Sequence, residues 1–168
     1  MSEPLNVLIV EDSESDEMLL LRALQKQGFA PNHLRVQDEA ALSEALAQRT
    51  WDVVLSDYSM PQLTGLDALR VVREHGQDLP FIIVSGNEGE DLAVRAMRAG
   101  AHDYLMKGHL DRLGAAVQRE REAARARRRK REIEEELRHR NEVLRAVRAI
   151  DQLIVRERDR TSLARHAC

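Results

Sequence analysis

Five apolar runs, each too short for a core helix, recur between residues 5 and 106, with segments of helical periodicity between them. The runs lie at residues 5–10, 34–36, 53–55, 81–84 and 104–106 and are predicted as strands. The links between strands and helices are short, so successive strands must pair in parallel through right-handed crossovers. The sequence therefore predicts a doubly wound α/β domain with helices on both faces of a five-stranded parallel sheet.

Four helices are predicted between the strands, at about residues 13–27, 39–48, 66–75 and 88–99, and a fifth begins near Asp111. Gly28 is placed to end the first helix and Asp38 to cap the second. The strand order expected for this alternation is the flavodoxin-like 2-1-3-4-5, in which the first and third strands are neighbours. Ligands of such sheets bind at the carboxyl ends of the strands.

Polar or charged side chains stand at the carboxyl ends of four predicted strands. They are Glu11 and Asp12 after the first strand, Asp57 after the third, Ser85 after the fourth and Lys107 after the fifth. An Asp in this position often only caps a turn, but neighbouring first and third strands would bring three carboxylates together. Three anions at close range must be protonated or share a cation, and an all-oxygen site suits Mg²⁺. Ser85 and Lys107 would then offer a hydroxyl and a positive charge to a phosphoryl group.

The pattern also contains Met60-Pro61 and Gly65 after Asp57, and Gly86 after Ser85. Together with the residues at the strand ends, these motifs resemble the receiver domains of two-component response regulators. The resemblance covers about residues 4–120 and implies phosphoryl transfer onto Asp57 from a histidine kinase, a phosphotransfer protein or a small phosphodonor.

The resemblance also implies the metal ligands. Mg²⁺ is expected to bind the carboxylates of Glu11, Asp12 and Asp57 together with the backbone carbonyl of Ser59. Asp57 would be the nucleophile of an in-line displacement, with the metal neutralising charge on the phosphoryl oxygens.

Three further residues receive roles by the same resemblance. Ser85 is expected to bond one phosphoryl oxygen and Lys107 to pair with another. Tyr104 matches the aromatic switch position, where the ring turns inward when Ser85 moves toward the phosphate. Tyr104 is equally well explained as a half-buried Tyr on an edge strand.

At two places the sequence either departs from the common family pattern or leaves a property undecided. Gly108 follows Lys107 where many family members have proline after a cis bond, and a non-proline cis bond costs about 2.5–4 kcal/mol. The bond is therefore either trans with a rearranged loop, or cis with tolerated strain. Ser59 and Asn87 lie at the two positions expected to tune hydrolysis of the acyl phosphate.

The charge distribution indicates two parts with different roles. Residues 1–107 hold 18 acidic against 9 basic side chains, whereas residues 108–168 hold 11 acidic against 17 basic. We predict a receiver domain at residues 1–118 and a coiled-coil signalling helix at 119–168 that leads into a sensor or output module absent from this sequence. The chain is accordingly expected to be a fragment of a longer protein.

A heptad seam supports the coiled coil. With Leu137 at an a position, eight of the twelve a and d residues are apolar. The twelve are Ala116, Arg119, Ala123, Ala126, Lys130, Ile133, Leu137, Arg140, Leu144, Val147, Asp151 and Ile154. This pattern favours a homodimer, against the alternative of a single charged helix that packs on nothing. The basic run at 125–131 has no aromatic residue and is followed by acidic ones, so no direct contact with nucleic acid is expected.

Composition limits the other classes of protein. No apolar run is long enough to span a bilayer, no leader pattern starts the chain, and the lone Cys168 allows no internal disulfide. A cytoplasmic protein without membrane contact is expected, and a switch rather than an enzyme acting on a separate substrate. Three alternatives remain: a receiver from a hybrid or sensor kinase, a coiled-coil scaffold that cannot be phosphorylated, and a phosphotransferase of the haloacid dehalogenase type. The last would want a second Asp where this chain has Ser59.

Overall fold

The computed structural model describes the backbone of residues 2–76, 78–86 and 89–165, with side chains as far as Ile154. Asn87 and Cys168 lie outside these residues. The sheet contains the strands β1 (Glu3–Val10), β2 (Phe29–Val36), β3 (Val53–Asp57), β4 (Phe81–Ser85) and β5 (Asp103–Met106). All neighbouring strands are parallel and the order is β2-β1-β3-β4-β5. The predicted doubly wound fold and its strand order are confirmed.

Helices pack on both faces of the sheet. They are α1 (Glu14–Lys26), α2 (Glu39–Gln48), α3 (Gly65–Glu74), α4 (Glu90–Ala99) and α5 (Leu113–Arg165), and a 3-10 turn at Leu110–Arg112 precedes the last. One apolar core joins the sheet to α1 and to the start of α5, and a second joins it to α2, α3 and α4. Alternate residues of each buried strand point into opposite cores, so both faces of the central strands are apolar.

Side chains at the helix starts explain where the helices begin. The Ser13 hydroxyl accepts a hydrogen bond from the Asp16 amide at 3.3 Å, and the Asp38 carboxylate accepts one from Ala41 at 2.8 Å. Thr64 forms a capping box with Asp67 at the start of α3. Each cap satisfies a backbone N–H that has no partner within the helix.

The second strand is longer than the sequence predicts. It begins at Phe29 and pairs with β1 from Glu3↔Phe29 to Val10↔Val36, whereas the prediction began only at Leu34. Pro31 lies inside the strand, which is tolerated because β2 is an edge strand and needs fewer backbone donors. The edge position also leaves most of its side chains exposed or half-buried, so the strand carries little apolar signal.

The chain divides into two compact units, residues 1–125 and residues 126–168. In the first unit, Leu113, Ala116 and Val117 of α5 lie in the core of the sheet. Arg121, also buried, pairs with Glu3 at 2.9 Å. The first unit thus reaches beyond residue 118. Ala116, counted above in the heptad seam, packs inside its own α/β unit instead of being available to a second chain.

The second unit consists of helix alone as far as residue 165. Its large apolar side chains are about half exposed or more: Ile133, Leu137, Val143, Leu144, Val147, Ile150, Leu153 and Ile154. Within the described part of the chain, no helix has both the length and the apolar character needed to cross a membrane.

Candidate functional site

The strand register brings the predicted site residues to one edge of the sheet. Val10 of β1 pairs with Ser56 of β3, so the residues that follow them come together. On the other side of β3, Asp57 pairs with Val84 of β4, one residue before Ser85. All of these positions lie at the carboxyl ends of parallel strands, where ligands of this fold class bind.

Three carboxylates form a cluster at this edge. One oxygen from each of Glu11, Asp12 and Asp57 lies within 4.8 Å of the others. The Glu11 side chain is only 1% exposed and that of Asp57 11% exposed, whereas Asp12 is open to solvent. The arrangement offers buried oxygens on one side and an accessible oxygen on the other, which suits a hard divalent cation that keeps some of its waters.

The Asp57 carboxylate is oriented by the loop that follows it. Its Oδ1 accepts a hydrogen bond from the Tyr58 amide at 2.7 Å, and the Tyr58 carbonyl accepts one from the Gly65 amide at 3.0 Å. The second bond ties the start of α3 to the end of β3. Asp57 is therefore held at the end of β3, directly before a short loop, and its Oδ2 lies 3.5 Å from Lys107 Nζ.

Lys107 joins the carboxylates from the other side. Its Nζ lies 2.8 Å from Glu11 Oε2, 2.6 Å from Asp16 Oδ2 and 3.5 Å from Asp57 Oδ2. Its backbone amide donates to the carbonyl of Ser85 at 2.9 Å, which fixes the end of β5 against the end of β4. The peptide bond from Lys107 to Gly108 is trans, which resolves the alternative left open by the missing proline.

Burial and charge oppose each other at Glu11 and Lys107. Burial raises the pKa of Glu11, while hydrogen bonds from Lys107 and from the Ser13 amide offset part of that rise. For Lys107, burial lowers the pKa, but the hydrogen bonds to Asp16 and Glu11 outweigh it and hold the pKa above its ordinary value. Lys107 is thus a charged ammonium, whereas burial disfavours the ionised form of Glu11.

Asp16 is a member of the site that the sequence prediction missed. It occupies the third position of α1 and carries a side chain 29% exposed. The signal available in the sequence was Ser13, a residue type that favours the N-cap position of a helix. A helix that starts directly after Ser13 has Asp16 in its first turn, close to the Glu11-Asp12 pair. Many acidic residues occur in first helical turns for electrostatic reasons alone, so that signal did not single out Asp16.

The remaining predicted residues lie on, or directly after, strands of the same sheet. Ser85 ends β4 and is buried, and Ser59 is an exposed residue of the loop after β3. Tyr104 is half-buried on β5 and packs against the core shared with α2, α3 and α4. Asn87, expected to tune hydrolysis, falls outside the described residues.

Comparison with known proteins identifies the family. The family model of the response regulator receiver domain matches residues 7–118, more than half of the chain. The DNA-binding transcriptional regulator NtrC of Escherichia coli (strain K12) is 38% identical over 114 residues, which are 67% of this chain and 24% of that protein. The chain thus spans about a quarter of the length of this curated relative.

Solved structures give the same family. The crystal structure of NtrX from Brucella abortus matches with 25% sequence identity and a TM-score of 0.67. The match covers 79% of this chain and 30% of the NtrX chain. The receiver domain of a sensor histidine kinase from Pseudomonas aeruginosa PAO1, which holds a magnesium ion in its active site cleft, is 26% identical with a TM-score of 0.60. That match covers 70% of this chain and 98% of the other. The chain belongs to the response regulator receiver domain family.

Proposed function

We propose that Asp57 accepts a phosphoryl group, in a Mg²⁺-dependent reaction, from a histidine kinase or a histidine phosphotransfer protein. The observation that carries this proposal is the convergence of three carboxylates and the Lys107 ammonium at one edge of the sheet. An oxygen of Asp57 forms a bond to phosphorus as the bond from phosphorus to the donor breaks, and the donor leaves with that electron pair.

The residues at this edge fit a magnesium ion. Glu11, Asp12 and Asp57 supply carboxylate oxygens, and the Ser59 carbonyl is proposed as a further ligand. All are hard donors of the kind that Mg²⁺ prefers. When bound, the ion would neutralise charge on the phosphoryl oxygens. The related kinase receiver that holds magnesium supports the assignment.

Ser85 and Lys107 are proposed to hold the phosphoryl oxygens. Ser85 is the last residue of β4 and Lys107 follows β5, and the bond between their backbones keeps them adjacent. Lys107 lies 3.5 Å from Asp57 Oδ2, close enough to reach a group attached there after a small movement. We propose Tyr104 as the switch residue, because this half-buried residue of β5 lines a cavity next to the start of α4.

The C-terminal helix is proposed to pair with a second copy of the chain. We propose a receiver at residues 1–118 and a signalling helix at 119–168, whose first residues, up to Arg125, still belong to the α/β unit. Phosphorylation would act on the helix pair. The half-exposed apolar residues from Ile133 to Ile154 support this proposal, because a second helix would remove them from water. Ala116 is excluded from the seam by its place in the core of the α/β unit.

We propose that the protein is a cytoplasmic switch that acts on no separate substrate. In this proposal it contacts neither membrane nor nucleic acid directly. NtrC, of which the matched segment covers 24%, is a DNA-binding regulator. The similarity to a receiver taken from a sensor histidine kinase favours a hybrid kinase as the second candidate.

Incubation of the full chain with acetyl phosphate and Mg²⁺ tests the proposal. We expect at most one phosphate per chain in wild type and none in Asp57→Asn, with Asp91→Asn, an exposed α4 residue, labelled like wild type. Continuous release of phosphate over many turnovers would instead indicate a phosphatase. No incorporation by a folded wild-type chain would favour the scaffold.

A further inference from the structure

Lys107 contacts two of the three carboxylates that a metal would need. Its ammonium is bonded to Glu11 Oε2 at 2.8 Å and lies 3.5 Å from Asp57 Oδ2, and both carboxylates belong to the acidic cluster. A divalent cation and an ammonium cannot share one carboxylate oxygen at these distances without strong repulsion. Binding of Mg²⁺ through Glu11 Oε2 therefore requires Lys107 to withdraw from that oxygen.

Asp16 is the partner to which Lys107 can withdraw. Its Oδ2 already lies 2.6 Å from Lys107 Nζ, the shortest of the three contacts. Asp16 does not belong to the set of carboxylates whose oxygens converge within 4.8 Å. Its side chain, 29% exposed, can hold the ammonium without occupying a metal ligand.

From this geometry we infer that Asp16 is a positioning residue: it retains the Lys107 ammonium and thereby frees Glu11 and Asp57 for Mg²⁺. The inference rests on the proposed function, because it assumes that the acidic cluster takes a magnesium ion. Asp16 acts through Lys107, not as a ligand.

Removal of the Asp16 charge has a definite expected effect. In Asp16→Asn the amide oxygen is a weaker partner for an ammonium, so Lys107 remains on Glu11 and competes with the metal. Mutation of a residue that orients a metal ligand without binding the metal itself typically lowers metal affinity 10–100-fold. We expect Mg²⁺ to bind Asp16→Asn roughly tenfold more weakly than wild type, at the low end of that range.

A double-mutant cycle distinguishes an effect of Asp16 through Lys107 from a direct effect of the Asp16 charge on the metal. Mg²⁺ affinity is measured on the full chain by titration with MgCl₂ at constant ionic strength, following the backbone amide signals of residues 57–59 by NMR. In Lys107→Met there is no ammonium to retain, so adding Asp16→Asn should weaken binding about twofold or less. Asp16→Glu keeps the carboxylate and should restore most of the affinity. Glu14→Gln, an exposed change in the same helical turn, should stay within about twofold of wild type.

Two results would overturn the role of Asp16. One is an equal loss of affinity on Asp16→Asn in the wild-type and Lys107→Met chains, because that would show a direct effect of charge on the metal. The other is a Mg²⁺ affinity that does not fall in Asp16→Asn, whether because it is unchanged or because wild type binds no Mg²⁺. Thermal unfolding of each variant distinguishes these outcomes from loss of the fold.

Phosphate incorporation is measured separately, so the two proposals can fail independently. If Asp57 is labelled normally and the cycle shows no coupling, only the role of Asp16 falls. If the coupling is present and Asp57 takes up no phosphate, the proposed function falls and the positioning of Lys107 remains.

Discussion

A Cβ atom on Gly65 would lie 2.6 Å from the carbonyl oxygen of Asp57, a distance at which one of them must move. The same Cβ would lie 3.1 Å from the Cα of Tyr58. Both neighbours are backbone atoms that cannot rotate away. The start of α3 thus approaches the end of β3 closely enough to require glycine at residue 65.

Gly65→Ala should lower the free energy of unfolding by about 1–3 kcal/mol, the usual cost of forcing atoms into a packed site. It should also weaken phosphorylation, because the backbone of Asp57 and Tyr58 at the end of β3 must shift. Gly108→Ala is the matched control, since nothing lies within 4 Å of its Cβ and the change should stay within about 0.5 kcal/mol. Urea unfolding measures both. Equal stability of the two variants would mean that the close approach is not required.

Gln27 links the end of α1 to the start of α5. Its Nε2 donates to the Leu110 carbonyl at 2.8 Å, and its Oε1 accepts from the Gly114 amide at 2.7 Å. Gln27→Ala leaves these half-buried groups without their partner and should cost about 1–2 kcal/mol of unfolding free energy. The control is Gln48→Ala, whose side chain bonds only an exposed Glu44 and should change stability by less than about 0.5 kcal/mol. A Gln27→Ala chain as stable as this control would argue against the link.

The raised pKa of Glu11 predicts a pH dependence of stability. A carboxyl whose pKa is higher in the folded state than its ordinary 4.5 stabilises the fold only while protonated. Its contribution is complete below pH 4.5 and is lost as the pH rises through the folded-state value. Without metal, Glu11→Gln should therefore become more stable than wild type, by a margin that grows with pH above 4.5.

Urea unfolding from pH 4 to pH 8, in the presence of EDTA, measures this margin. Saturating Mg²⁺ should then stabilise wild type more than Glu11→Gln, because only wild type keeps the charged ligand. A margin that shrinks with rising pH would contradict the assigned cost of burying Glu11.

If the chain is a dimer, its molar mass in solution should depend on the apolar residues of the C-terminal helix. The full chain should be a dimer by light scattering, and a chain ended after Arg125 should be mainly monomeric. Leu137→Glu with Leu144→Glu should split the long chain, since both side chains are about half exposed before pairing. Arg138→Glu with Arg145→Glu changes exposed neighbours and should leave the dimer in place. A long chain that stays monomeric in concentrated solution would remove the dimer.

The sheet and the site at its edge followed from the sequence because their signals are local. A buried parallel strand is a short apolar run, and its last residue lies at the carboxyl edge whatever the neighbouring strand is. Glu11, Asp57 and Lys107 were found in this way, and the structure brings them together.

The features that escaped prediction depend on which partner a residue meets. The start of β2 was missed because an edge strand buries few side chains and therefore carries little apolar signal. Ala116 has the spacing of a heptad position, but spacing does not tell whether a helical face packs on a second chain or on its own sheet. The contact of Asp16 with Lys107 joins residues 91 positions apart. No local pattern records such a contact.

The central claim is that Asp57 is the phosphoryl acceptor of a Mg²⁺-dependent site. Tandem mass spectrometry of peptides from the full chain, after acetyl phosphate treatment, tests it by locating the phosphate. We predict a phosphoryl group on Asp57 in the presence of Mg²⁺, and its loss in EDTA or in Asp12→Asn. Phosphate on another residue of wild type, or equal labelling with and without the metal, would contradict the account.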